Sequence, residues 1–222
     1  KYRKWQDNMK EWGLERGLTT ADQPYSFGFK AMVVTSSFDA GDWDFTADKP
    51  GTGGGAAWGG GIFGAADIFD YVGIQGEFLV YNSRFSASSQ GGYPSVNPSA
   101  AEFSVWVTEF PLIVYVRVPS YLLRFYGGVS YKYRITEMFV DITDSVTLEK
   151  EEKRYDGQLL KMQNGAWLAG MNLDFPLNES IFFIDFRFSR DFYSWFKSSA
   201  PEKDFIAGYL ACSVGYTIKG GR

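Results

Sequence analysis

The sequence predicts an all-β fold: an eight-stranded antiparallel up-and-down transmembrane β-barrel, preceded by a short N-terminal helical extension. Two observations predict it. From Pro24 onward, strand-length segments follow one another, and in these segments every second residue tends to be apolar. The segments are joined alternately by long polar loops and by turns of a few residues, as in a barrel with one fixed side facing out of the membrane.

The alternation is clearest in residues 123–135. One parity of this segment is apolar or glycine, whereas the other includes Arg124, Ser130 and Lys132. Side chains on a strand point alternately to opposite faces, so one face suits hydrocarbon and the other suits water or ion pairs. Residues 72–81 and 180–192 divide in the same way.

Strands and connections follow from this pattern. The predicted strands are 24–38, 56–67, 71–86, 102–117, 122–136, 164–176, 180–191 and 204–218. The long connections are 39–55, 87–101, 137–163 and 192–203, and the short ones are 68–70, 118–121 and 177–179. Within the third long connection, residues 139–142 are expected to belong to strands that project beyond the bilayer.

Composition limits the chemistry. Aromatic residues make up 18% of the chain, yet the mean hydropathy is −0.20 and no run of about 18 apolar residues exists, which excludes a transmembrane helix. The net charge of −4 and the lack of a basic stripe give no reason to expect nucleic acid. With no histidine and a single cysteine, Cys212, we expect no catalytic residue, cofactor or metal site.

Four short motifs resemble a known family. They are Glu109-Phe110-Pro111-Leu112, Phe125-Tyr126-Gly127-Gly128, Gly170-Met171-Asn172-Leu173 and Val214-Gly215-Tyr216. The chain resembles the porin-like bacterial outer-membrane β-barrels of the OmpA/OmpX type over residues 24–218. The resemblance implies an outer-membrane barrel at 21–222, a periplasmic extension at 1–20, both termini in the periplasm, and a bulge that tolerates Pro111.

Charged residues on the polar parity are the candidate site residues. They are Lys30, Glu77, Glu109, Arg117, Arg124, Lys132, Arg134, Asp174, Asp185 and Arg187. Buried charges are tolerated when paired, so in a narrow barrel they predict an interior ion network that plugs the lumen. A proton or ion path, or an active site built from carboxylates alone, is the alternative.

Two further segments are candidate surfaces for partners. Trp5, Met9 and Trp12 have the spacing of one side of a helix, which either docks a partner or folds back on the barrel mouth. The acidic loop 137–163 is the best candidate for binding outside partners, and calcium binding there is an alternative to a solvated surface.

The predicted function is a non-enzymatic structural or interaction role, as a subunit of a larger envelope complex. Its expected partners are outer-membrane lipid and lipopolysaccharide, and another envelope protein bound through residues 1–20 or 137–163. The alternatives are a small-solute channel, a soluble ligand-carrying barrel with an apolar interior, and an enzyme that uses Glu77 or Glu109. The membrane prediction requires Phe182, Phe186 and Leu210 outside the barrel.

Overall fold

The computed structural model describes residues 25–40, 51–69, 71–88, 99–118, 122–136, 138–144, 150–155, 161–177, 180–195 and 205–219. Trp5, Met9 and Trp12 lie outside these residues. The strands are β1 (Tyr25–Ala40), β2 (Gly51–Gly54), β3 (Ala56–Phe69), β4 (Val72–Ser88), β5 (Ser99–Arg117), β6 (Leu123–Arg134), β7 (Met138–Asp144), β8 (Lys150–Tyr155), β9 (Gln163–Leu177), β10 (Ser180–Asp191) and β11 (Phe205–Lys219). The described residues include no helix that is long and apolar enough to cross a membrane.

Eight of these strands form a closed antiparallel barrel. The order around the wall is β1, β3, β4, β5, β6, β9, β10 and β11. Pairing of β1 with β11, from Ser26 opposite Lys219 to Ala40 opposite Phe205, closes the sheet. Each predicted strand overlaps one barrel strand, and the predicted eight-stranded antiparallel barrel is confirmed.

Three shorter strands extend the wall at the end of the barrel that carries the long connections, here called the loop end. Strand β2 pairs with residues 85–88 of β4, β7 pairs with residues 99–104 of β5, and β8 pairs with β7. Strands β7 and β8 lie in the connection where strands were expected. Strand β2 was not expected, because its glycine-rich sequence has no apolar alternation.

The barrel has apolar side chains outside and charged side chains inside. Phe182, Phe186 and Leu210 are 36%, 42% and 61% exposed, whereas Arg124 and Asp185 are 6% and 2% exposed. A soluble ligand-carrying barrel would have the opposite polarity. The structure therefore excludes that alternative.

The outer face lacks charge over the length of whole strands. Outward positions contain no Asp, Glu, Lys or Arg in β6 and its continuation from Leu123 to Ile135, in β9 from Trp167 to Leu177, or in β11 from Ile206 to Ile218. Strands β6 and β10 have 12 residues each, and a tilted strand crosses a bilayer with about 9–11 residues. The wall therefore has the length and polarity that hydrocarbon requires.

Glycines give interior aromatic rings room to lie across the wall. The pairs directly opposite each other on neighbouring strands are Phe63 with Gly28, Tyr115 with Gly73, Tyr126 with Gly170, and Phe183 with Gly215. At each of these glycines an added Cβ would collide with the ring of its partner. The rings of Phe63 and Phe183 then meet across the lumen, with centroids 5.5 Å apart.

Pro111 does not lie at a bulge, so that expectation was wrong. It is opposite Ser130 on β6, and its other neighbour is β4, where pairing is interrupted between Gly76–Leu112 and Leu79–Glu109. The register is the same on both sides of the interruption, so no residue is inserted. The strand accommodates the missing N–H donor by a local gap in the ladder.

Adjacent glycines of β6 provide a matched test of interior packing. A Cβ added at Gly128, on the lumen side, would collide with the carbonyl oxygen of Leu112, whereas at Gly127 the nearest atom, the Leu168 carbonyl oxygen, is 3.7 Å away. We expect Gly128→Ala to lower the free energy of unfolding by about 1–3 kcal/mol, because a backbone atom cannot move aside cheaply. Gly127→Ala should change it little. Urea unfolding of both variants in detergent micelles measures this, and equal effects would contradict the packing account.

Candidate functional site

Charged side chains from opposite walls meet in the middle of the lumen. Strands β4 and β10 lie opposite each other in the barrel order. Arg187 on β10 donates from Nη1 to Glu77 Oε2 and from Nη2 to Glu77 Oε1 on β4, both at 2.8 Å. Two parallel charge-assisted hydrogen bonds are the strongest arrangement these groups can form. This bidentate pair spans the bore.

Lys30 and Asp185 complete a group here called the central cluster: Lys30, Glu77, Asp185 and Arg187. Lys30 Nζ on β1 donates to Glu77 Oε1 at 3.0 Å and to Asp185 Oδ2 at 3.3 Å. Two cations therefore alternate with two carboxylates, and the cluster is formally neutral. All four side chains are buried.

Uncharged donors saturate the carboxylates of the central cluster. Asp185 accepts hydrogen bonds from Ser213 Oγ at 2.9 Å and from the Tyr126 hydroxyl. Glu77 Oε1 also accepts one from Gln75 Nε2 at 2.6 Å. Hydrogen bonds of this kind compensate for the loss of water around a buried carboxylate.

Two more ion pairs lie nearer the end with the short turns. Arg124 Nη2 on β6 donates to Asp174 Oδ1 on β9 at 2.9 Å, and its guanidinium lies 5.2 Å from the ring centroid of Tyr115. Arg117 Nη1 on β5 donates to Asp67 Oδ2 on β3 at 3.0 Å. The Tyr115 hydroxyl donates to the same carboxylate at 2.5 Å.

A third group lies toward the loop end. Lys132 Nζ donates to Asp191 Oδ1 at 2.8 Å and lies 3.7 Å from the ring centroid of Tyr209. Asp191 Oδ2 accepts from Trp195 Nε1 at 2.5 Å. Glu109 is buried and is opposite Lys132 in the β5–β6 register.

The chain turns inward just after β10. Phe192 N donates to the Gly165 carbonyl at 2.8 Å, and Lys161 N donates to the Trp195 carbonyl at 2.7 Å. These bonds tie the turn to the start of β9, and Trp195 is buried above the Lys132–Asp191 pair. Ion pairs and aromatic rings thus fill the lumen in successive layers.

Each residue proposed for the interior network is placed inside the barrel. Lys30, Glu77, Asp185 and Arg187 meet in the central cluster, Arg124 pairs with Asp174, and Glu109 and Lys132 lie toward the loop end. Asp67 and Asp191 were not among the proposed residues, although both occupy the inward parity of their strands. Alternation could have found them, because Asp191 follows Asp185 and Arg187 at even spacing.

Opposite charges balance within the described lumen. The cations are Lys30, Arg117, Arg124, Lys132, Arg134 and Arg187, and the carboxylates are Asp67, Glu77, Glu109, Asp174, Asp185 and Asp191. Among the residues with described positions, no group of three or more His, Cys, Asp or Glu side chains could hold a metal ion. The arrangement can close the lumen, because the Arg187–Glu77 pair joins opposite walls of the barrel.

Inverted polarity, a closed sheet and connections that are long at one end together define the architecture. The fold is that of an OmpA/OmpX-type outer-membrane β-barrel. The architecture predicted from the sequence is confirmed by these features of the chain itself.

Solved structures of outer-membrane proteins are similar to this chain at low identity. Ail, the attachment invasion locus protein of Yersinia pestis, in complex with the heparin analogue sucrose octasulfate, is 13% identical, with a TM-score of 0.46 over 88% of this chain and 99% of Ail. OprG from Pseudomonas aeruginosa is 11% identical, with a TM-score of 0.45 over 90% and 98%. The outer membrane protease OmpT from Escherichia coli is 9% identical, with a TM-score of 0.44 over 90% and 98%. No protein-family model and no curated protein matches the chain.

Removing one carboxylate from the central cluster tests its contribution to stability. Glu77→Gln leaves Lys30 and Arg187 with Asp185 as their remaining carboxylate in the cluster. Breaking a buried ion pair from one side costs about 3–5 kcal/mol, so we expect a loss of that order in the free energy of unfolding. Asp67→Asn is the control, because the Asp67–Arg117 pair is partly exposed and its loss should cost less. Equal losses in urea titrations would contradict the assigned role of the central cluster.

Proposed function

We propose that the protein is an integral barrel of the bacterial outer membrane, with a lumen closed by its own side chains and a structural or protein-interaction role in the envelope. The observation that carries this proposal is the Arg187–Glu77 pair, which joins opposite walls at 2.8 Å. A solute that crossed the barrel would have to break that pair and its contacts with Lys30. Neither catalysis nor a cofactor is part of this function.

The lengths of the connections support one direction of the barrel in the membrane. Outer-membrane barrels have short turns in the periplasm and longer loops outside. Tyr25 and Lys219, the first and last described residues, lie at the end with the short turns. We therefore propose periplasmic N- and C-termini, with lipopolysaccharide around the loop end.

Two segments are proposed as surfaces for another envelope protein. The first is the extended sheet of β7 and β8, which adds to β5 beyond the barrel wall. It is supported by its place at the loop end. The second is the segment 1–20, supported by the helical spacing of Trp5, Met9 and Trp12 in the sequence.

Planar-bilayer recording separates a sealed barrel from a small-solute channel. We expect purified protein to give no stable conductance steps, because the central cluster joins the walls. Co-flotation with liposomes provides the control that the protein has inserted. A long-lived open pore in the unmodified protein would contradict the sealed lumen and favour the channel.

Substitutions in the segment 1–20 test it as a docking surface. We expect the triple variant Trp5→Ser, Met9→Ser and Trp12→Ser to lose a partner that co-purifies with the unmodified protein in mild detergent, while the barrel still folds. Gln6→Ser with Lys10→Ser is the matched control on other positions of the same segment. Unchanged co-purification of the triple variant would assign the partner elsewhere, and loss on deletion of residues 138–155 would assign it to β7 and β8.

A further inference from the structure

A polar residue lies buried on the outer wall of the barrel, near the loop end. Asn82 occupies an outward position of β4 and is directly opposite Trp106 of β5. On its other side, the pairing of Gly59 with Tyr81 brings Trp58 of β3 next to it. The two tryptophan rings meet edge to face, with centroids 5.5 Å apart, and Asn82 is 5% exposed. The rings therefore cover the amide.

Asn82 holds an exposed arginine in place. Arg84 is the next outward residue of β4 toward the loop end, and its Nε donates to Asn82 Oδ1 at 3.0 Å. The Asn82 amide is fixed in turn, because its Nδ2 donates to Ser104 Oγ at 3.0 Å. A guanidinium has five N–H donors in a planar fork, and Asn82 engages one of them. The terminal amino groups of Arg84 are oriented by this contact.

Among the described side chains of the outer wall, two arginines lie at the same end of the barrel. Arg84 and Arg190 are outward arginines, and both lie at the loop end. Arg190 is opposite Trp167 on β9, on the other side of the barrel from Arg84. Among the described side chains, outward positions at the short-turn end include no lysine or arginine. Among the described outward side chains, arginine therefore occurs beyond the tryptophans at the loop end and not at the short-turn end.

The position of Arg84 just beyond Trp58 and Trp106 indicates that it lies among the lipid headgroups. Tryptophans of membrane barrels lie at the level of the lipid headgroups. An arginine just beyond them meets the headgroup layer, and its planar fork matches the oxygens of a phosphate. Anionic lipid headgroups attract such cations. The wall on the membrane side of the tryptophans is apolar, so it provides no site for a charged ligand.

We propose that Arg84, positioned by Asn82 between Trp58 and Trp106, binds a phosphate of a phosphorylated glycolipid in the outer leaflet. This inference rests on the proposed outer-membrane placement and adds a specific lipid site to it. Trp58 and Trp106 contact the acyl-chain boundary of the same lipid. Asn82 is a positioning residue, because it acts through Arg84.

Native mass spectrometry of the detergent-solubilised protein tests the site. The probes are bisphosphorylated lipid A and the same lipid after removal of both phosphates. We expect Arg84→Gln to weaken binding of the phosphorylated lipid about tenfold, as the loss of a charge-assisted hydrogen bond predicts, and to leave binding of the dephosphorylated lipid unchanged. Arg84→Lys should restore part of the binding, and Asn82→Leu should weaken it by misplacing the guanidinium.

Arg190→Gln is the matched control, because it removes an outward cation at the loop end and leaves the Asn82 contact intact. A smaller effect than that of Arg84→Gln supports the site, whereas an equal effect means general attraction to the rim and overturns it. If the unmodified protein prefers the phosphorylated lipid and Arg84→Gln binds that lipid equally well, the proposed site is wrong, but the outer-membrane placement is not contradicted. Equal binding of the phosphorylated and dephosphorylated lipids by the unmodified protein also contradicts the site. The sealed-barrel proposal is tested separately, by the bilayer recording. Heat-dependent gel mobility verifies that each variant is folded.

Discussion

Compensation of buried charge inside a narrow barrel is the constraint on which the rest of the structure depends. Glu77 can remain buried because Lys30 and Arg187 both reach it, and Arg187 reaches it from the opposite wall. An uncompensated ion in such a place would cost several kcal/mol. The wall must therefore bring facing strands within side-chain reach, which a barrel of eight strands does. The glycines opposite the interior aromatic rings leave space for those rings, so the facing strands can lie this close together.

Much of the fold could be predicted because a transmembrane strand has a strict two-residue period. That period located the eight barrel strands, and loop lengths gave their alternation. It also identified most of the inward charges, because they occupy the polar face of their strands, although Asp67 and Asp191 were not among the proposed residues. Strand β2 was not predicted, because its glycines show no apolar alternation. The prediction of a bulge at Pro111 was wrong, because the strand accommodates the proline by a gap in the hydrogen-bond ladder. The pairing of Lys132 with Asp191 could not be predicted, because contacts across a barrel depend on stagger and tilt.

Strands β4 and β5 both contribute to the outer surface near the proposed lipid site, and β4 also contributes to the interior. Strand β4 contributes Glu77 to the central cluster and, a few residues further, Asn82 and Arg84 to the outer wall. Strand β5 contributes Trp106 to that wall, and its residues 99–104, which precede Trp106, pair with β7. The ion pairs inside the lumen and the proposed lipid site outside it are thus built on the same strand, β4.

The central claim, that the apolar face contacts lipid, can be tested at the single native cysteine. Cys212 lies on the outward face of β11 between Leu210 and Val214, and it is exposed. A nitroxide attached there, in protein reconstituted into phospholipid vesicles, should collide readily with oxygen, which concentrates in hydrocarbon, and rarely with a water-soluble nickel chelate. The reverse order of collision rates would contradict the account, because it would place the outer wall in water.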